Sequence, residues 1–160
     1  AYCLRDNGWH PGVVGLVASK LKEKLHRPVI AFAPSDVGST TLRGSARSIP
    51  GVHVRDCLAD VDALNPGLIV RYGGHAMAAG LTLEAAHFDA FRDAFEAAVT
   101  RRLTDELRDA ELWSDGELAP QELNRPTAEA LRLAGPWGQG FPEPLFDGEF
   151  EVRSWKILAE

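Results

Sequence analysis

Apolar residues in the first 108 positions alternate between strand-like and helix-like spacing. Strand-like runs occur in AYCLR, PVIAFAP, TLRGSARSI, LIVRYG and AAGLTLE. Helical spacing occurs in VVGLVASKLKEKL, VHVRDCLADVDAL and HFDAFRDAFEAAVTRRL, where apolar residues recur every three or four positions. In the second of these helices the apolar face comprises Val54, Cys57, Leu58, Val61 and Leu64, and in the third it comprises Phe88, Phe91, Phe95, Ala98 and Val99. The resulting order, β-α-β-β-α-β-β-α, predicts an α/β fold with a mixed β-sheet flanked by helices.

The residues also predict a helix start, a strand interruption and a buried strand. Pro11 and Gly12 fit the start of the first helix. The strand in TLRGSARSI is expected to be interrupted at Gly44. LIVRYG is expected to form a buried strand, because its first half is entirely apolar.

The pattern changes after about Asp105. PQELNRPTAEALRLAG predicts a short helix that ends at Gly135, and LFDGEFEVRSWKIL alternates like two strands around Asp147 and Gly148. We therefore expect a domain over residues 1–108 and, over residues 109–160, a connector with the first strands of a truncated, OB-like β segment. Such a segment is expected to expose Trp155 and Ile157. The absence of an initiator Met favours a piece of a longer protein.

Composition narrows the functional classes. With 45% hydrophobic and 25% charged residues, the 160-residue chain is typical of a soluble globular protein. No apolar run approaches the roughly 20 residues that span a bilayer, and no signal peptide is visible, so we expect a cytoplasmic protein without a membrane partner. Neither Cys3 nor Cys57 has metal-binding spacing, so both are expected to be reduced thiols.

Charge is distributed unevenly along the chain. The net charge of −6 argues against a globally basic nucleic-acid binder. Residues 1–80, however, hold nine Lys and Arg against six Asp and Glu, whereas residues 81–160 hold eight against seventeen. A polyanion should therefore bind the first half of the chain.

The stretch RYGGHAMAAG carries the first candidate chemistry. Gly73 and Gly74 allow a tight turn and close approach of a ligand at the end of a strand. His75, which follows them, can donate to a phosphate, ligate a metal or serve packing. A metal site needs further ligands, and no second His or carboxylate lies at ligand spacing nearby, so phosphate binding and packing remain open alternatives.

The strand RGSARS and the turn WHPGVVG are the other candidates for anion binding. Strand alternation places Arg43, Ser45 and Arg47 on one face of the sheet, and Gly44, Ala46 and Ser48 on the other. Guanidinium groups beside a hydroxyl suit phosphate oxygens, but a solvated edge strand explains the same pattern. His10, just before the first helix, fits either an anion site or a capped turn.

Several catalytic signatures are missing from the sequence. It contains no DHH cluster, P-loop, GxSxG elbow or Rossmann glycine pattern, and Asp56, Asp60 and Asp62 fit the solvated face of a helix. Trp137 and Phe141 in PWGQGFPEP fit base stacking or, more simply, a rigid turn with aromatic packing. The residues alone thus favour a binding module over an enzyme.

Read together, the motifs resemble the C-terminal portion of the RecJ family, bacterial 5′→3′ exonucleases specific for single-stranded DNA. The resemblance rests on WHPGVVGLVASKLKEKLHRPVIAFAP, LRGSARSIPGVHVRDCL, RYGGHAMAAGLTLE, DGELAPQEL and GPWGQGFPEPLFDGEF, and it covers essentially the whole chain. It implies a DHH-associated, substrate-binding domain to about residue 108, and the start of an OB-fold domain from about Trp113. The family's metal-binding DHH domain has no counterpart in this sequence.

The resemblance also implies roles for individual residues. Arg47, Ser48 and His75 would contact the DNA backbone near the scissile phosphate, with His75 as a substrate-side donor rather than a catalytic metal ligand. Gly44, Gly73 and Gly74 would shape that surface. One departure from the family is Ala46, which replaces a glycine of the common GSGRS motif; it costs little if its methyl group faces the sheet interior.

The full set of functional expectations follows from this resemblance. The chain is expected to clamp single-stranded DNA in DNA repair and recombination, while Mn²⁺ or Mg²⁺ in the DHH domain of the same polypeptide drives phosphodiester hydrolysis. A single-stranded-DNA-binding protein or a helicase is a candidate partner. Two alternatives remain: part of an oligonucleotide or cyclic-dinucleotide phosphodiesterase of the same superfamily, and a non-catalytic protein-interaction module.

Overall fold

A computed structural model describes residues 1–109, 113–138 and 140–156. Its internal contacts divide the chain into two compact units, Ala1–Ala110 and Glu111–Glu160. The strands are β1 (Tyr2–Arg5), β2 (Val29–Pro34), β3 (Thr41–Arg47), β4 (Arg71–Gly74) and β5 (Ala78–Glu84). The helices are α1 (Val14–Leu25), α2 (Val54–Leu64), α3 (Phe88–Thr100, preceded by a 3₁₀ turn at Ala85–His87) and α4 (Arg125–Leu133). The predicted order β-α-β-β-α-β-β-α and the α/β class are confirmed.

The five strands of the first unit form one mixed sheet in the order β1-β2-β3-β5-β4. β1 and β2 are parallel and are joined through α1, whereas β3, β5 and β4 are paired antiparallel. The sequence order of β4 and β5 is thus reversed in the sheet, so that β5 lies between β3 and the edge strand β4. This arrangement decides which motifs of the sequence become neighbours.

Helices α2 and α3 cover one face of the sheet and enclose the main core. The stripe predicted along α3 is fully inside: Phe88, Phe91, Phe95, Ala98 and Val99 are all buried. Phe32 of β2 meets Phe88 and Phe91 edge to face, with ring centroids 5.5 and 5.7 Å apart. Such aromatic contacts are the electrostatically preferred geometry and fix α3 on the sheet.

Helix α1 packs on the opposite face, over β2 and the adjoining part of β3. Val14 and Ala18 of α1 are buried against Val29, Ala31 and Ala33 of β2. Within the described residues of the first unit, no helix packs on the same face of β5 and β4. Arg43, Arg71, Gly73 and Gly80 are accordingly exposed. Half of one sheet face therefore remains open, bordered by α1.

Strand β3 is continuous through Gly44, so the predicted interruption is wrong. Gly44 pairs in regular register with Phe32 on one side and Leu81 on the other. A Cβ atom at position 44 would lie 2.4 Å from a ring carbon of Phe32 and 2.8 Å from a methyl carbon of Leu81. Glycine is needed there because the aromatic ring occupies the space of a side chain, and not because the strand breaks.

Three other local predictions need correction. LIVRYG does not form a buried strand: β4 begins at Arg71, lies at the sheet edge and is mostly exposed, since NPG directs the chain through a turn up to Leu68. Helix α1 begins at Val14, so Pro11 and Gly12 belong to the preceding turn. Leu64, placed by its spacing on the buried face of α2, is 67% exposed at the helix end.

Among its described residues, the second unit contains the predicted short helix but not the predicted pair of strands. The Asn124 side chain caps α4 by accepting from the amide of Thr127 at 2.9 Å. No strand occurs among the described residues after Phe141, and the backbone of Leu145 and Asp147 bonds to that of Asp115 and Gly116. Trp155 is 80% exposed, as expected. Ile157 lies outside the described residues.

Neither cysteine forms a disulfide; Cys57 is buried and Cys3 is half-buried, in agreement with the sequence expectation. Burial raises the pKa of the Cys3 thiol to about 12, and burial also raises the pKa of Cys57. Both are therefore thiols near neutral pH and poor nucleophiles. In the described part of the chain, no helix is long and apolar enough to cross a membrane.

We expect Gly44→Ala to destabilise the first unit, because its methyl group must displace the Phe32 ring from a packed core. The cost should be about 1–3 kcal/mol in the free energy of unfolding, measured by urea denaturation. Gly73→Ala is the matched control, since a Cβ atom there meets nothing within 4 Å. Equal stability of the two variants would contradict this packing.

Candidate nucleic-acid interface

Cross-strand pairing on the open half-face arranges side chains in three rows. The first row is Arg43, Thr82 and Arg71; the middle row is Ser45, Gly80 and Gly73; the last row begins with Arg47 and Ala78. Directly paired residues of neighbouring strands project to the same face. The predicted Arg-Ser-Arg face of β3 is thus the open face of the sheet, extended by residues of β5 and β4.

The GGH segment reaches the end of the last row. Gly74 has φ +143°, and a Cβ atom there would lie 2.4 Å from the carbonyl oxygen of Ala78, so only glycine fits. The amide of His75 then donates to the same Ala78 carbonyl at 2.8 Å. Because Ala78 is also the cross-strand partner of Arg47, the exposed His75 and the half-buried Arg47 lie on either side of one residue.

Two further hydrogen bonds hold the loop between β4 and β5 in place. The carbonyl of Ala76 accepts from the amide of Val54 at 2.9 Å, and the carbonyl of Met77 accepts from the amide of Ser48 at 3.0 Å. The loop is therefore attached to the start of α2 and the end of β3. These contacts fix the backbone of the GGH segment relative to the GSARS strand.

Hydrogen bonds to neighbouring residues fix the position of the Arg47 side chain without a ligand. Its Nη1 donates to the hydroxyl of Ser45 and to the carbonyl of Ala46, both at 2.9 Å. A Cβ atom on Gly15 of α1 would lie 3.0 Å from Arg47 Nη2, so the glycine leaves room for the guanidinium beside the helix. A guanidinium held along a strand with free N–H groups is suited to bind phosphate oxygens.

His10 lies at the other end of the open face. Its Nδ1 accepts from the amide of Gly12 at 3.0 Å, which leaves Nε2 as the nitrogen that can donate to a ligand. His10 lines a depression of about 770 Å³ together with Arg43, but Asp36 also lines it. The structure thus brings His10 near the first row, beside a carboxylate that opposes anion binding.

Ser48 contradicts the expectation that it contacts DNA through its side chain. The residue is fully buried, and its hydroxyl donates to the carbonyl of Val52 at 2.6 Å. The alternation of β3 turns Gly44 and Ala46 toward the interior as well. For Ala46 this confirms that the methyl group faces the sheet interior, where it is fully buried. Gly44 shapes the surface only through its backbone.

Arg71, Thr82 and Gly80 were not identified from the sequence. Arg71 Nε donates to the hydroxyl of Thr82 at 3.3 Å, directly beside Arg43 in the first row. Strand alternation in AAGLTLE would have placed Gly80 and Thr82 on one face. That alternation does not reveal which strands lie next to β5. The first row therefore could not be predicted from the sequence.

The carboxylates of α2 do not form a site. Asp60, which the sequence placed on a solvated face, pairs with Arg102 and, at 3.7 Å, with Arg101. The hydrogen bond from Arg102 lowers the pKa of Asp60, which therefore stays ionised. Among residues 1–109, 113–138 and 140–156, no group of three or more His, Cys, Asp or Glu could hold a metal ion. The donor set therefore does not fit a catalytic metal.

The aromatic pair of PWGQGFPEP is involved in packing. The Trp137 and Phe141 rings stack with centroids 4.8 Å apart, and Trp137 Nε1 donates to the carbonyl of Leu131 at 3.0 Å. Trp137 thereby attaches the turn to the end of α4. Of the two readings of the sequence, the rigid turn with aromatic packing accounts for these contacts.

Two family models match this chain. The DHHA1 domain matches residues 1–101, and the RecJ OB domain matches residues 114–160. The chain is 53% identical over 152 residues to the single-stranded-DNA-specific exonucleases RecJ of Dickeya dadantii and Escherichia coli. These matches cover 95% of the chain but only 26% of either relative, so the chain spans about a quarter of their length.

Solved structures show the same resemblance. Crystal structures of RecJ from Thermus thermophilus, in complex with Mg²⁺ and with Mn²⁺, match with TM-scores of 0.69 and 0.68. Their sequence identities are 36% and 35%, and each match covers 91% of this chain. The matches cover 21% and 20% of the two crystallised chains.

We expect Ser48→Ala to lower the free energy of unfolding by about 1–3 kcal/mol, because it leaves the buried carbonyl of Val52 without its donor. Ser45→Ala, on the same strand but on the open face, should change it by less than about 0.5 kcal/mol. Urea denaturation of both variants measures the difference. The reverse order of stabilities would contradict the two assignments.

Proposed function

We propose, on the premise that the chain belongs to the DHHA1 domain family, that it binds the phosphate backbone of single-stranded DNA as the substrate-clamping part of a RecJ-like 5′→3′ exonuclease. The observation that carries the proposal is the position of Arg47 and His75 on either side of Ala78. Two motifs separated in sequence thereby present donors to one point, where the uncovered part of the sheet face meets α1.

The donor chemistry of this point suits a phosphodiester. Arg47 supplies a charged guanidinium whose position is set by Ser45, and His75 supplies an exposed imidazole on a loop fixed by backbone bonds. Pre-ordered donors lose little conformational entropy when a phosphate binds. Gly15 and Gly73 leave the approach to these donors free of side-chain bulk. The role of this chain is to bind and orient the strand.

We assign the hydrolytic step to another part of the polypeptide. The described residues do not fit a metal site, so Mn²⁺ or Mg²⁺ would be bound by a DHH domain outside this chain. The metal-bound crystal structures of RecJ support metal dependence of that relative. A cytoplasmic bacterial enzyme of this kind would meet its substrate during DNA repair, where a single-stranded-DNA-binding protein or a helicase would supply unpaired strands.

The match of residues 114–160 to the RecJ OB domain favours this proposal over its alternatives. An enzyme restricted to short oligonucleotides or cyclic dinucleotides has less use for an additional nucleic-acid-binding fold. A protein-interaction module would not need the ordered guanidinium of Arg47. Single-stranded DNA therefore remains the ligand that best explains both units.

We expect Arg47→Ala and His75→Ala to weaken binding of this chain to single-stranded DNA by roughly tenfold or more each, because each removes a donor to a charged phosphate. Fluorescence anisotropy at fixed salt measures the dissociation constants, and thermal denaturation checks that folding is retained. Arg55→Ala is the matched control, since Arg55 is exposed on α2 at the opposite face. A large drop in Tm for His75→Ala with unchanged affinity would instead indicate a structural histidine.

We also expect the chain by itself to leave single-stranded DNA intact in the presence of Mn²⁺, because the part of it that the structure describes holds no metal site. Incubation with an end-labelled oligonucleotide, followed by gel electrophoresis, tests this. A chelator-treated sample provides the control. Metal-dependent shortening that co-purifies with the chain would contradict the division of roles.

A further inference from the structure

Gly73 and Gly80 are two strand glycines that the fold itself does not require. They are direct cross-strand partners in the middle row of the open face. Neither has a positive φ. A Cβ atom on Gly73 would meet nothing within 4 Å, and one on Gly80 would meet only the carbonyl of Gly44 at 3.9 Å, an ordinary contact.

Glycine inside a strand lowers stability because it loses more backbone entropy than any other residue on folding. Neither a backbone angle nor a neighbouring atom of the fold requires glycine at these two positions. The pair therefore indicates that a ligand approaches the backbone closely there. Together with the small side chain of Ser45, they form a flat floor across three strands. The rows on both sides of this floor carry cationic side chains.

The first row is a set of donors separate from Arg47 and His75. Arg43 and Arg71 are exposed and both are partners of Thr82, whose hydroxyl accepts from Arg71 Nε at 3.3 Å. Arg43, Arg71, Thr82, Gly73 and Gly80 line one shallow depression of about 470 Å³. Two guanidinium groups that line one depression beside a hydroxyl have the chemistry of a phosphate site.

We propose that the first row, Arg43–Thr82–Arg71, binds a second phosphate of the same DNA strand, which lies across the Gly73–Gly80 floor. This inference rests on the proposed function, which places another phosphate at Arg47 and His75. The two rows are four strand residues apart, or about 13 Å. That distance exceeds the separation of adjacent phosphates, so the second phosphate belongs to a nucleotide further along the strand.

The open face also limits where the strand can run. Glu84 follows Thr82 on the same face of β5, one row beyond the first, where it pairs with Thr41. A carboxylate there repels a further phosphate. The anion-binding track therefore ends at the first row, with the glycine floor between two cationic ends.

Oligonucleotide length separates the two sites experimentally. We compare a 5′-phosphorylated dinucleotide, whose phosphates are adjacent, with an octanucleotide, which spans both rows. Dissociation constants are measured for the full chain by competition against a fluorescein-labelled strand. Arg71→Ala and Arg43→Ala should each weaken octanucleotide binding by roughly fivefold to tenfold and leave dinucleotide binding unchanged. The log–log slope of octanucleotide affinity against salt should also decrease by about 0.7 for each phosphate that the variant no longer binds.

Gly80→Ala tests the floor independently of charge. Its methyl group should weaken octanucleotide binding severalfold while Tm is unchanged or slightly higher. Gly138→Ala in the second unit is the control for a glycine-to-alanine change outside the floor, because a Cβ atom there meets nothing within 4 Å. Arg55→Ala controls for a general decrease in positive charge.

The outcomes distinguish this inference from the function on which it rests. If Arg47→Ala weakens neither oligonucleotide, the proposed function fails. If Arg47→Ala weakens both while Arg71→Ala and Gly80→Ala weaken neither, only the second phosphate site is overturned. If Arg71→Ala weakens the dinucleotide as strongly as the octanucleotide, the first row is not a separate site.

Discussion

The antiparallel register of β3 with β5 is the constraint on which the arrangement of the open face depends. It pairs Arg47 with Ala78 and thereby brings the GSARS strand beside the GGH loop. A slip of one residue would turn Arg43, Ser45 and Arg47 into the core. Phe32 disfavours such a slip, because its ring fills the space at Gly44. A residue with a side chain at that position would clash with the ring. Aromatic packing on the buried face thus secures the polar chemistry on the other.

Sequence periodicity predicts the elements of the first unit well because each buried face leaves a local signature. The α3 stripe and the alternation of β3 are examples, and both are observed. Neighbour relations between strands leave no such signature, which is why Arg71 and Thr82 could not be identified from it. The burial of Ser48, by contrast, agrees with the alternation that places it on the face of Gly44 and Ala46, and its partner, the carbonyl of Val52, lies only four residues further along the chain.

In the second unit, a clear sequence alternation led to a prediction of strands that the structure does not bear out. Alternation around Asp147 and Gly148 indicates a pair of strands, yet Leu145 and Asp147 find backbone partners at Asp115 and Gly116 instead. Alternation reports a tendency to form strands but does not select the partner. The helical prediction succeeded there because α4 is delimited by local contacts: the Asn124 side chain caps its start, and the amide of Ala134 bonds to the carbonyl of Leu131 at its end.

An acidic chain can bind a polyanion when its charges are separated in space. The net charge is −6, but the open face gathers Arg43, Arg47 and Arg71 on two strands, β3 and the edge strand β4, that flank β5. The free N–H groups of Arg47 and the uncovered glycine floor make this face locally cationic and accessible, although the net charge of the chain is negative. Binding by such a face should depend on salt, since it releases counterions from the phosphates.

The central claim is that DNA binds the open half-face of the first unit, and amide chemical-shift mapping tests it most directly. Titration of the ¹⁵N-labelled chain with single-stranded DNA should shift amides of β3, β5, β4 and the loop at His75. Amides of α2 and α3, on the opposite face, should stay unchanged. Shifts concentrated on α2 and α3, or confined to the second unit, would contradict the account.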